Sequence, residues 1–440
     1  VGKDAIVKVP VGTVVHITDT GVDHEVVKVG EKICIARGGH GGDGNFHFRS
    51  AINTTPKEFE YGEPGESLEI RFELKLIADV GFVGLPNVGK STIFNALTSA
   101  GAQASNYPFC TIDPNIGVVE VPDERLIRLN EMYKPKKLTP TVIEFVDIAG
   151  LVKGASQGEG LGNKFLGHIR EVAAILHVVR CFEDPDIVHV AGNVDPKRDI
   201  EIINMELILA DMDTIEKRLN RVEKSAKSGD KKAVAETQFM KILKDRLQKG
   251  ELVRGMEYSD EEKKILKECH LLTDKPVLYI ANVSEKDIVK GNSYVNIVKT
   301  IAASEKAEVV VISGKAEAEI AEMDKNERMD YLINVLGVQE PGLNSLIKTA
   351  YKLMNLITFF TAGEDEVKAW TISGGTKAPQ AAGEIHSDIE RGFIRAEVMT
   401  YSDLTSLGSA QAVKDKGRIR LEGKDYPVKD GDIIYFRFSV

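Results

Sequence analysis

The sequence predicts an α/β protein with a mainly parallel central sheet, an inserted helical hairpin and a smaller β-rich module at each end. Three observations predict this class. Short apolar runs alternate with helical segments in the middle of the chain, which is typical of strands buried on both faces of a doubly wound sheet. A two-heptad apolar seam interrupts that alternation. Short β-patterned runs with Gly and Pro punctuation occupy both ends.

The composition is that of a globular protein with several domains. The 440 residues are 42% apolar and 28% charged, which excludes a wholly disordered chain, a collagen and a small disulfide scaffold. We expect no membrane partner, because no apolar run is long enough for a span and no leader stands at residue 1. The four cysteines lack CxxC spacing, which favours reduced thiols and a cytoplasmic location. A net charge of −10 argues against DNA as a partner and leaves RNA contact to a local patch.

The first segment, residues 1–77, is β-patterned around a glycine cluster. We expect strands at 5–9, 13–17, 33–35 and 68–76. The glycine cluster at 38–44 is either a flexible loop or a structured part of this module.

The next segments form one interrupted α/β domain, with a first part at 78–198 and a second part at 277–356. Its predicted buried strands are 80–83, 141–146, 174–179, 277–280 and 309–312. Between the two parts, residues 199–276 carry the apolar seam, broken at 228–230, and predict an antiparallel helical hairpin. The seam residues are Met205, Ile208, Met212, Ile215, Leu219 and Val222. Residues 357–440 return to β patterning, with a hairpin-turn signal at 373–376 and a strand pair at 393–399 and 433–438.

One motif carries the chemistry. Residues 84–91 are GLPNVGKS, which satisfies GxxxxGK[ST] directly after a predicted strand and before a predicted helix. In such a P-loop the backbone N–H groups hold phosphates, Lys90 reaches the β- and γ-phosphates, and the Ser91 hydroxyl binds Mg²⁺. The nucleotide-binding candidates here are Asn87, Val88, Gly89, Lys90, Ser91 and Thr92.

Further parts of a nucleotide switch follow in order. Asp147 and Gly150 form a DxxG after the strand at 141–146, where the aspartate supports Mg²⁺ and the glycine N–H senses the γ-phosphate. Thr111 lies between the two motifs and is the candidate for a second Mg²⁺ hydroxyl, with an ordinary loop threonine as the alternative. The predicted metal ligands are therefore Ser91, Thr111 and Asp147, and Lys90 and Gly150 are predicted catalytic residues.

The base-reading motif departs from the guanine pattern. Where a G protein has NKxD, residues 282–285 are NVSE, so Val283 replaces the lysine and the acid, Glu285, is one methylene longer. Because this damages guanine recognition, ATP becomes a competitor for the site. Ser313 and Gly314 follow the next strand and fit the last base-contacting loop.

Residues 84–440 resemble the Obg-like ATPases of the YchF type, through 84–92, 106–115, 147–150, the NxxE at 282 and 378–386. The resemblance implies a TRAFAC-class P-loop domain, an inserted helical hairpin and a C-terminal β-grasp TGS domain. It also implies ATP preference over GTP and association with the ribosome. Residues 2–81 are instead similar to the second half of the Obg glycine-rich domain.

Hydrolysis needs a group that orients water. Leu151 stands where many GTPases have a glutamine, so we expect slow intrinsic turnover. Three groups could supply the orientation. One is K⁺ bound by Asn87, which resembles the asparagine that binds K⁺ in related cation-activated enzymes. The others are a group donated by the ribosome and His177, to which the family resemblance points. The alternative for His177 is a buried core histidine.

These observations predict a cytoplasmic, Mg²⁺-dependent hydrolase of ATP, less active on GTP, whose nucleotide state controls ribosome association. An Obg-like GTPase of ribosome assembly and a non-catalytic nucleotide-sensing scaffold on the ribosome are the alternatives. The cations that could form a local face toward ribosomal RNA, or simply a solvated surface, are Arg391, Arg395, Lys416, Arg418 and Arg420.

Overall fold

The chain forms two compact units, Val1–Ile77 and Ala78–Val440. The computed structural model describes residues 5–7, 9, 13–18, 22–26, 32–50, 52–74, 78–100, 115–148, 161–227 and 229–439. Within these residues Cys34, Cys181 and Cys269 are free thiols.

The first unit contains a three-stranded antiparallel sheet in the order β2-β1-β3. Its strands are β1 (Thr13–Ile17), β2 (Val22–Glu25) and β3 (Ile70–Leu74), with a 3₁₀ turn at Asn45–Phe48. The prediction at 13–17 matches β1. The predictions at 5–9 and 33–35 are wrong for the described residues of those segments, which form no strand.

The glycine cluster explains part of that difference. It runs alongside residues 60–66 and pairs with them at every third residue through backbone hydrogen bonds of 2.8–2.9 Å, from Glu60 to Asp43, Glu63 to His40 and Glu66 to Arg37. A Cβ on Gly39 would lie 1.8 Å from the Glu63 carbonyl oxygen, so only glycine allows this approach. The cluster is therefore ordered by backbone hydrogen bonds at every third residue. The side-chain pattern that identifies β-strands repeats at every second residue.

The central sheet of the second unit has six strands in the order β10-β9-β8-β4-β7-β5. They are β4 (Ala78–Val83), β5 (Ile116–Glu120), β7 (Val142–Asp147), β8 (Val172–Arg180), β9 (Val277–Asn282) and β10 (Glu308–Ile312). All pairs are parallel except β5 with β7. Five of the six strands were predicted, and the α/β fold class is confirmed. The missed strand, β5, lies at the edge and is buried only at alternate residues.

Helices cover both faces of this sheet. The helices in contact with the sheet are α1 (Lys90–Ala100), α3 (Leu161–Arg170), α7 (Ser293–Ser304) and α10 (Gly342–Leu353). α8 (Gly314–Glu322) and α9 (Lys325–Asp330) follow β10, and α2 (Glu124–Tyr133) lies between β5 and β7 along the chain. Short 3₁₀ turns lie at Leu272–Asp274 and Glu285–Asp287, and a π-helical turn at Tyr331–Leu336. Since the strands are parallel, their carboxyl ends form one edge, and the loops after β4, β7, β8, β9 and β10 meet there.

The insertion is an antiparallel helical hairpin, as predicted. Its helices are α4 (Pro196–Ala226), α5 (Lys231–Gln248) and α6 (Asp260–Cys269), and Asp230 caps α5 by accepting from the Lys232 N–H. Ile208 and Ile215 of the predicted seam are buried, whereas Met205 is 49% exposed. The reason is that the first turns of α4 pack against the central sheet through other residues, including Ile200, Ile203 and Leu207.

The C-terminal sheet is mixed, in the order β14-β13-β15-β11-β12-β6. Its strands are β6 (Lys137–Thr139), β11 (Leu356–Ala362), β12 (Glu366–Ser373), β13 (Phe393–Thr400), β14 (Arg420–Glu422) and β15 (Asp432–Phe438). The accompanying helices are α11 (Ala378–Gly383), α12 (Ser387–Arg391), α13 (Tyr401–Leu407) and α14 (Ala410–Asp415). The strand pair predicted at the chain end is present as β13 and β15. The hairpin turn is misplaced in the prediction: β11 and β12 are joined through 363–365, and the turn at 373–376 leads into α11.

Residues between β5 and β7 belong to the core of this second sheet. Leu126 and Leu129 of α2 are buried against Phe360 and Leu404, and β6 pairs in parallel with β12. Arg125 adds an ion pair to Asp430 at 2.7 Å. The predicted division places these residues in the P-loop domain, and its boundaries stay a prediction.

We expect Leu129→Ala to lower the free energy of unfolding by about 2–5 kcal/mol, because it empties a fully buried site between α2 and the C-terminal sheet. Ile127 on the same helix is 59% exposed, so Ile127→Ala should change stability by less than about 0.5 kcal/mol. Urea titration of both variants measures this. Equal effects would contradict the packing of α2 on that sheet.

Candidate nucleotide site

The phosphate-binding loop connects β4 to α1 at the carboxyl edge of the central sheet. Two of its glycines are required by close contacts. A Cβ on Gly84 would lie 2.7 Å from the Val178 carbonyl oxygen, and Gly89 has a φ of +93° with its Cβ position 2.2 Å from the Asn282 amide nitrogen. The loop therefore lies directly against β8 and β9, which fixes its path.

The structure brings Lys90, Ser91 and Asp147 together. The Ser91 hydroxyl donates to one Asp147 oxygen at 2.7 Å, and the Lys90 ammonium lies 3.4 Å from the other. The Lys90 side chain is only 8% exposed, so a charged partner is needed to offset its desolvation. The two motifs predicted to hold phosphate and metal thus meet at one point. Thr111, Gly150 and Leu151 lie outside the described residues.

This donor set fits Mg²⁺ bound together with a phosphate. A hydroxyl and a carboxylate are hard oxygen donors, and Mg²⁺ in such sites takes few protein ligands and completes its shell with phosphates and water. In the described part of the chain, no three His, Cys, Asp or Glu side chains gather into a protein-only metal site. The ion would therefore depend on the nucleotide for much of its coordination.

At the other end of the site, Asn282 joins two loops. Its amide nitrogen donates to the Val88 carbonyl at 2.8 Å, and its amide oxygen accepts from the Gly314 N–H at 2.9 Å. Ser313 is buried and caps α8 by accepting from the Ala316 N–H. The side chains of Asn282 and Ser313 are therefore engaged in shaping the loops. Thr92 is exposed on the first turn of α1.

Val283 and Glu285 occupy different environments. The Val283 side chain is 2% exposed and packs in the main hydrophobic core. Glu285 is partly exposed and pairs with Lys315, the residue after Gly314, at 3.4 Å. Of the predicted base-reading side chains, only Glu285 is accessible for hydrogen bonding to a base.

His177 lies within the sheet. It stands on β8 between Val83 and Tyr279 of the neighbouring strands, is 3% exposed, and has its ring centroid 5.3 Å from that of Tyr279. Burial lowers the pKa of His177 to about 3, with a smaller contribution from the Arg254 charge. The imidazole is therefore neutral at physiological pH, which agrees with the alternative of a buried core histidine. Its catalytic role stays a prediction.

Sequence reasoning missed the segment that follows β8. Arg180 is 1% exposed and donates to three carbonyl groups of this segment. The segment reaches the phosphate-binding loop, where the Asn87 amide donates to the Val188 carbonyl at 3.2 Å. An arginine at the end of a buried strand, Arg180 of β8, is the signal that could have identified it.

Three family models match the chain. Residues 79–224 match "50S ribosome-binding GTPase", residues 356–439 match "Protein of unknown function (DUF933)", a YchF C-terminal model, and residues 1–76 match "GTP1/OBG". None of the helices among the described residues is long and apolar enough to cross a membrane.

Curated relatives and a solved structure match most of the chain. The chain is 58% identical to "Ribosome-binding ATPase YchF" of Bacillus subtilis over 362 residues, which is 82% of this chain and 99% of that protein. It is 54% identical to the protein of the same name from Escherichia coli O157:H7, over 82% of this chain and 99% of that protein. The structure of the Schizosaccharomyces pombe YchF GTPase matches with a TM-score of 0.74 at 39% identity, over 83% of this chain and 99% of that one.

The fold and the converging motifs define a P-loop nucleoside triphosphatase of the GTPase class. Within that class, the identity over nearly the whole length of these relatives places the chain in the YchF family. The resemblance stated from the sequence motifs is thereby confirmed.

The buried imidazole predicts a specific pH dependence of stability. Because the pKa of His177 falls from 6.5 to about 3 on folding, the unfolded chain takes up the proton first. The folded state therefore loses stability as pH falls from about 6.5 toward 3. We expect His177→Gln to reduce the loss in unfolding free energy between pH 7.5 and pH 5 by about 2 kcal/mol.

His168 is the matched control, since it is an exposed histidine at the end of α3. We expect His168→Gln to keep the pH dependence of the parent chain. If His177→Gln keeps it as well, the neutral buried state of His177 is wrong.

Proposed function

We propose that this chain is a Mg²⁺-dependent nucleoside triphosphate hydrolase that prefers ATP to GTP and whose nucleotide state controls its association with the ribosome in the cytoplasm. The observation that carries the proposal is the convergence of Lys90 and Ser91 of the phosphate-binding loop on Asp147 of the DxxG. These groups come from α1 and from the end of β7, and they meet only in the folded chain. The proposed partner, the ribosome, is inferred from the names of the relatives, which are ribosome-binding ATPases.

The chain's own groups divide the work of binding and activation. The backbone N–H groups at the start of α1 bind the phosphates, and Lys90 exchanges Asp147 for the β- and γ-phosphates when the nucleotide enters. Ser91, Thr111 and Asp147 would hold the ion, which would neutralise charge on the phosphates. The Gly150 N–H reports on the γ-phosphate, so the segment after Asp147 responds to hydrolysis.

Preference for ATP rests on the base-reading end. The Val283 side chain is in the core and offers no stem to pack on a base. Glu285 is already paired with Lys315, so its carboxylate is less available to accept from guanine N1–H and the 2-amino group. Adenine lacks that 2-amino group, so it forgoes no hydrogen bond when the Glu285 carboxylate is paired with Lys315.

The group that positions the attacking water has three candidates. The Asn87 amide nitrogen donates to Val188, which leaves the amide oxygen to bind a cation such as K⁺. His177 is neutral and could accept or donate one hydrogen bond, although its burial requires a rearrangement first. A group donated by the ribosome is the third. Steady-state hydrolysis with and without K⁺ and ribosomes separates these sources.

The C-terminal cations do not by themselves favour RNA. Arg391, Arg418 and Arg420 each have a carboxylate partner, in Asp388, Asp403 and Glu422 respectively. Their charges are thereby compensated, which favours a solvated surface over a phosphate-binding face.

A second candidate function has one observation in its favour. Residues 1–76 match the GTP1/OBG model, which supports an Obg-like GTPase of ribosome assembly. Calorimetry with MgATP and MgGTP side by side distinguishes the two, because tighter binding of GTP would favour the Obg-like function. Binding without any turnover, even with ribosomes and K⁺, would favour the nucleotide-sensing scaffold.

Ser91→Ala should weaken binding of ATP in the presence of Mg²⁺ by roughly tenfold or more, because the ion loses a ligand. In EDTA the variant and the parent should bind ATP alike. Ser99→Ala is the control, since Ser99 is an exposed serine on the same helix. Equal loss in Mg²⁺ and in EDTA would contradict the assignment of Ser91 to the metal.

Glu285→Asp should raise the affinity for GTP relative to ATP by roughly tenfold, because the shorter acid restores the guanine-reading length and moves away from Lys315. Competition between the two nucleotides measures the ratio. Glu322→Asp, at the exposed end of α8, should leave it unchanged. If the ratio of GTP affinity to ATP affinity is unchanged in Glu285→Asp, then Glu285 does not recognise the base.

A further inference from the structure

The segment 181–190, which follows β8, is organised by a buried cation at its start. The Arg180 guanidinium donates to the carbonyl groups of Phe182, Asp184 and Ile187 at 3.1, 3.3 and 3.0 Å. It also lies over the Phe182 ring, 4.7 Å from its centroid. Within the described residues no carboxylate pairs with Arg180. Burial of a charge is costly unless hydrogen bonds satisfy it, so the fold of this segment and the burial of Arg180 depend on each other.

A second buried pair anchors the other end of the segment. His189 Nδ1 accepts from the Ala191 N–H at 3.1 Å, so Nε2 carries the proton and donates to Asp199 at 2.9 Å. The side chains of His189 and Asp199 are 4% and 3% exposed. Asp199 lies in the first turn of α4, so the segment is fixed to the start of the helical hairpin.

The point between these anchors contacts the nucleotide site. The Val188 carbonyl accepts from the Asn87 amide, whereas the Val188 residue itself is 74% exposed. Because the valine side chain contributes little packing, the position of its carbonyl is set by Arg180 on one side and His189 on the other. Asn87 has a φ of +61° within the phosphate-binding loop, and this hydrogen bond restricts its side-chain rotamer.

We propose that Arg180 is a positioning residue for nucleotide binding: it folds segment 181–190 so that the Val188 carbonyl holds Asn87 in the orientation that the phosphate-binding loop uses. The inference rests on the proposed function and adds a specific element to it. The segment also connects the phosphate-binding loop to the helical hairpin, through His189 and Asp199. Loss of Arg180 should therefore act on the nucleotide through Asn87.

A double-mutant cycle tests this relation. Arg180→Met and Asn87→Ser should each weaken MgATP binding by roughly tenfold. If Arg180 acts through Asn87, the double variant should also be about tenfold weaker than the parent chain. Independent effects would multiply to roughly a hundredfold. Calorimetry with MgATP gives the affinities, and the melting temperature of each variant gives the purely structural effect.

Arg254→Met is the matched control. Arg254 is another arginine with a buried side chain, 6% exposed and paired with Glu305, but it lies beside the start of β9, at the opposite edge of the sheet. Its effect on MgATP affinity should multiply with that of Asn87→Ser. Similar losses of melting temperature in Arg180→Met and Arg254→Met would show that destabilisation alone does not produce the coupling.

His189→Leu gives a second route to the same result if Arg180→Met fails to fold. It releases the other end of the segment and should show the same non-additivity with Asn87→Ser. Multiplicative effects in both cycles would overturn the inference. Absence of MgATP binding by the unmodified chain is seen before any variant is made, and would overturn the proposed function and the inference with it.

Discussion

The side-chain amide of Asn282 links the loop after β4 to the loop after β10, and the shape of the nucleotide site depends on it. Both of its hydrogen bonds are buried, so breaking either leaves an unsatisfied polar group at a cost of about 1–3 kcal/mol. The amide also occupies the space where a Cβ on Gly89 would lie. The contact therefore requires glycine at residue 89 when residue 282 is asparagine. Since Asn282 ends β9, this contact fixes the phosphate-binding loop relative to that strand.

The phosphate-binding loop contacts residues at the ends of several strands of the central sheet. The loops proposed to hold phosphate, metal and base all start from strands buried in one hydrophobic core. Asp147 ends β7 and Asn282 ends β9, on either side of the strand pair that carries the phosphate-binding loop and Arg180. Because the strands are packed in this core, the positions of the side chains at their ends are well fixed. The segment after β8 also reaches the site, and its position is fixed by buried polar contacts of Arg180 and His189.

Much of the central domain could be predicted because its strands are nearly continuous apolar runs with motifs at their ends. The edge strand β5 was missed because Gly117 and Glu120 leave it too short an apolar run to resemble the other strands of the sheet. The strands expected at 5–9 and 33–35 were wrong, and the glycine cluster beside the second of them pairs at every third residue, which a search for alternation does not detect. The meeting of Asp147 with Lys90 and Ser91 could be predicted from their motifs. The roles of Val188, His189 and Asp199 could not, since they arise from a loop closing on distant residues.

The contact between α2, β6 and the C-terminal sheet has a consequence for biosynthesis. Lys136 and its partner Asp365 are 229 positions apart, and β6 next to Lys136 pairs with β12 next to Asp365. A nascent chain therefore presents the apolar face of α2 and an open strand edge long before their partners have been translated. Shielding of that surface during elongation, by a chaperone or by transient collapse, becomes a condition for the yield of native protein.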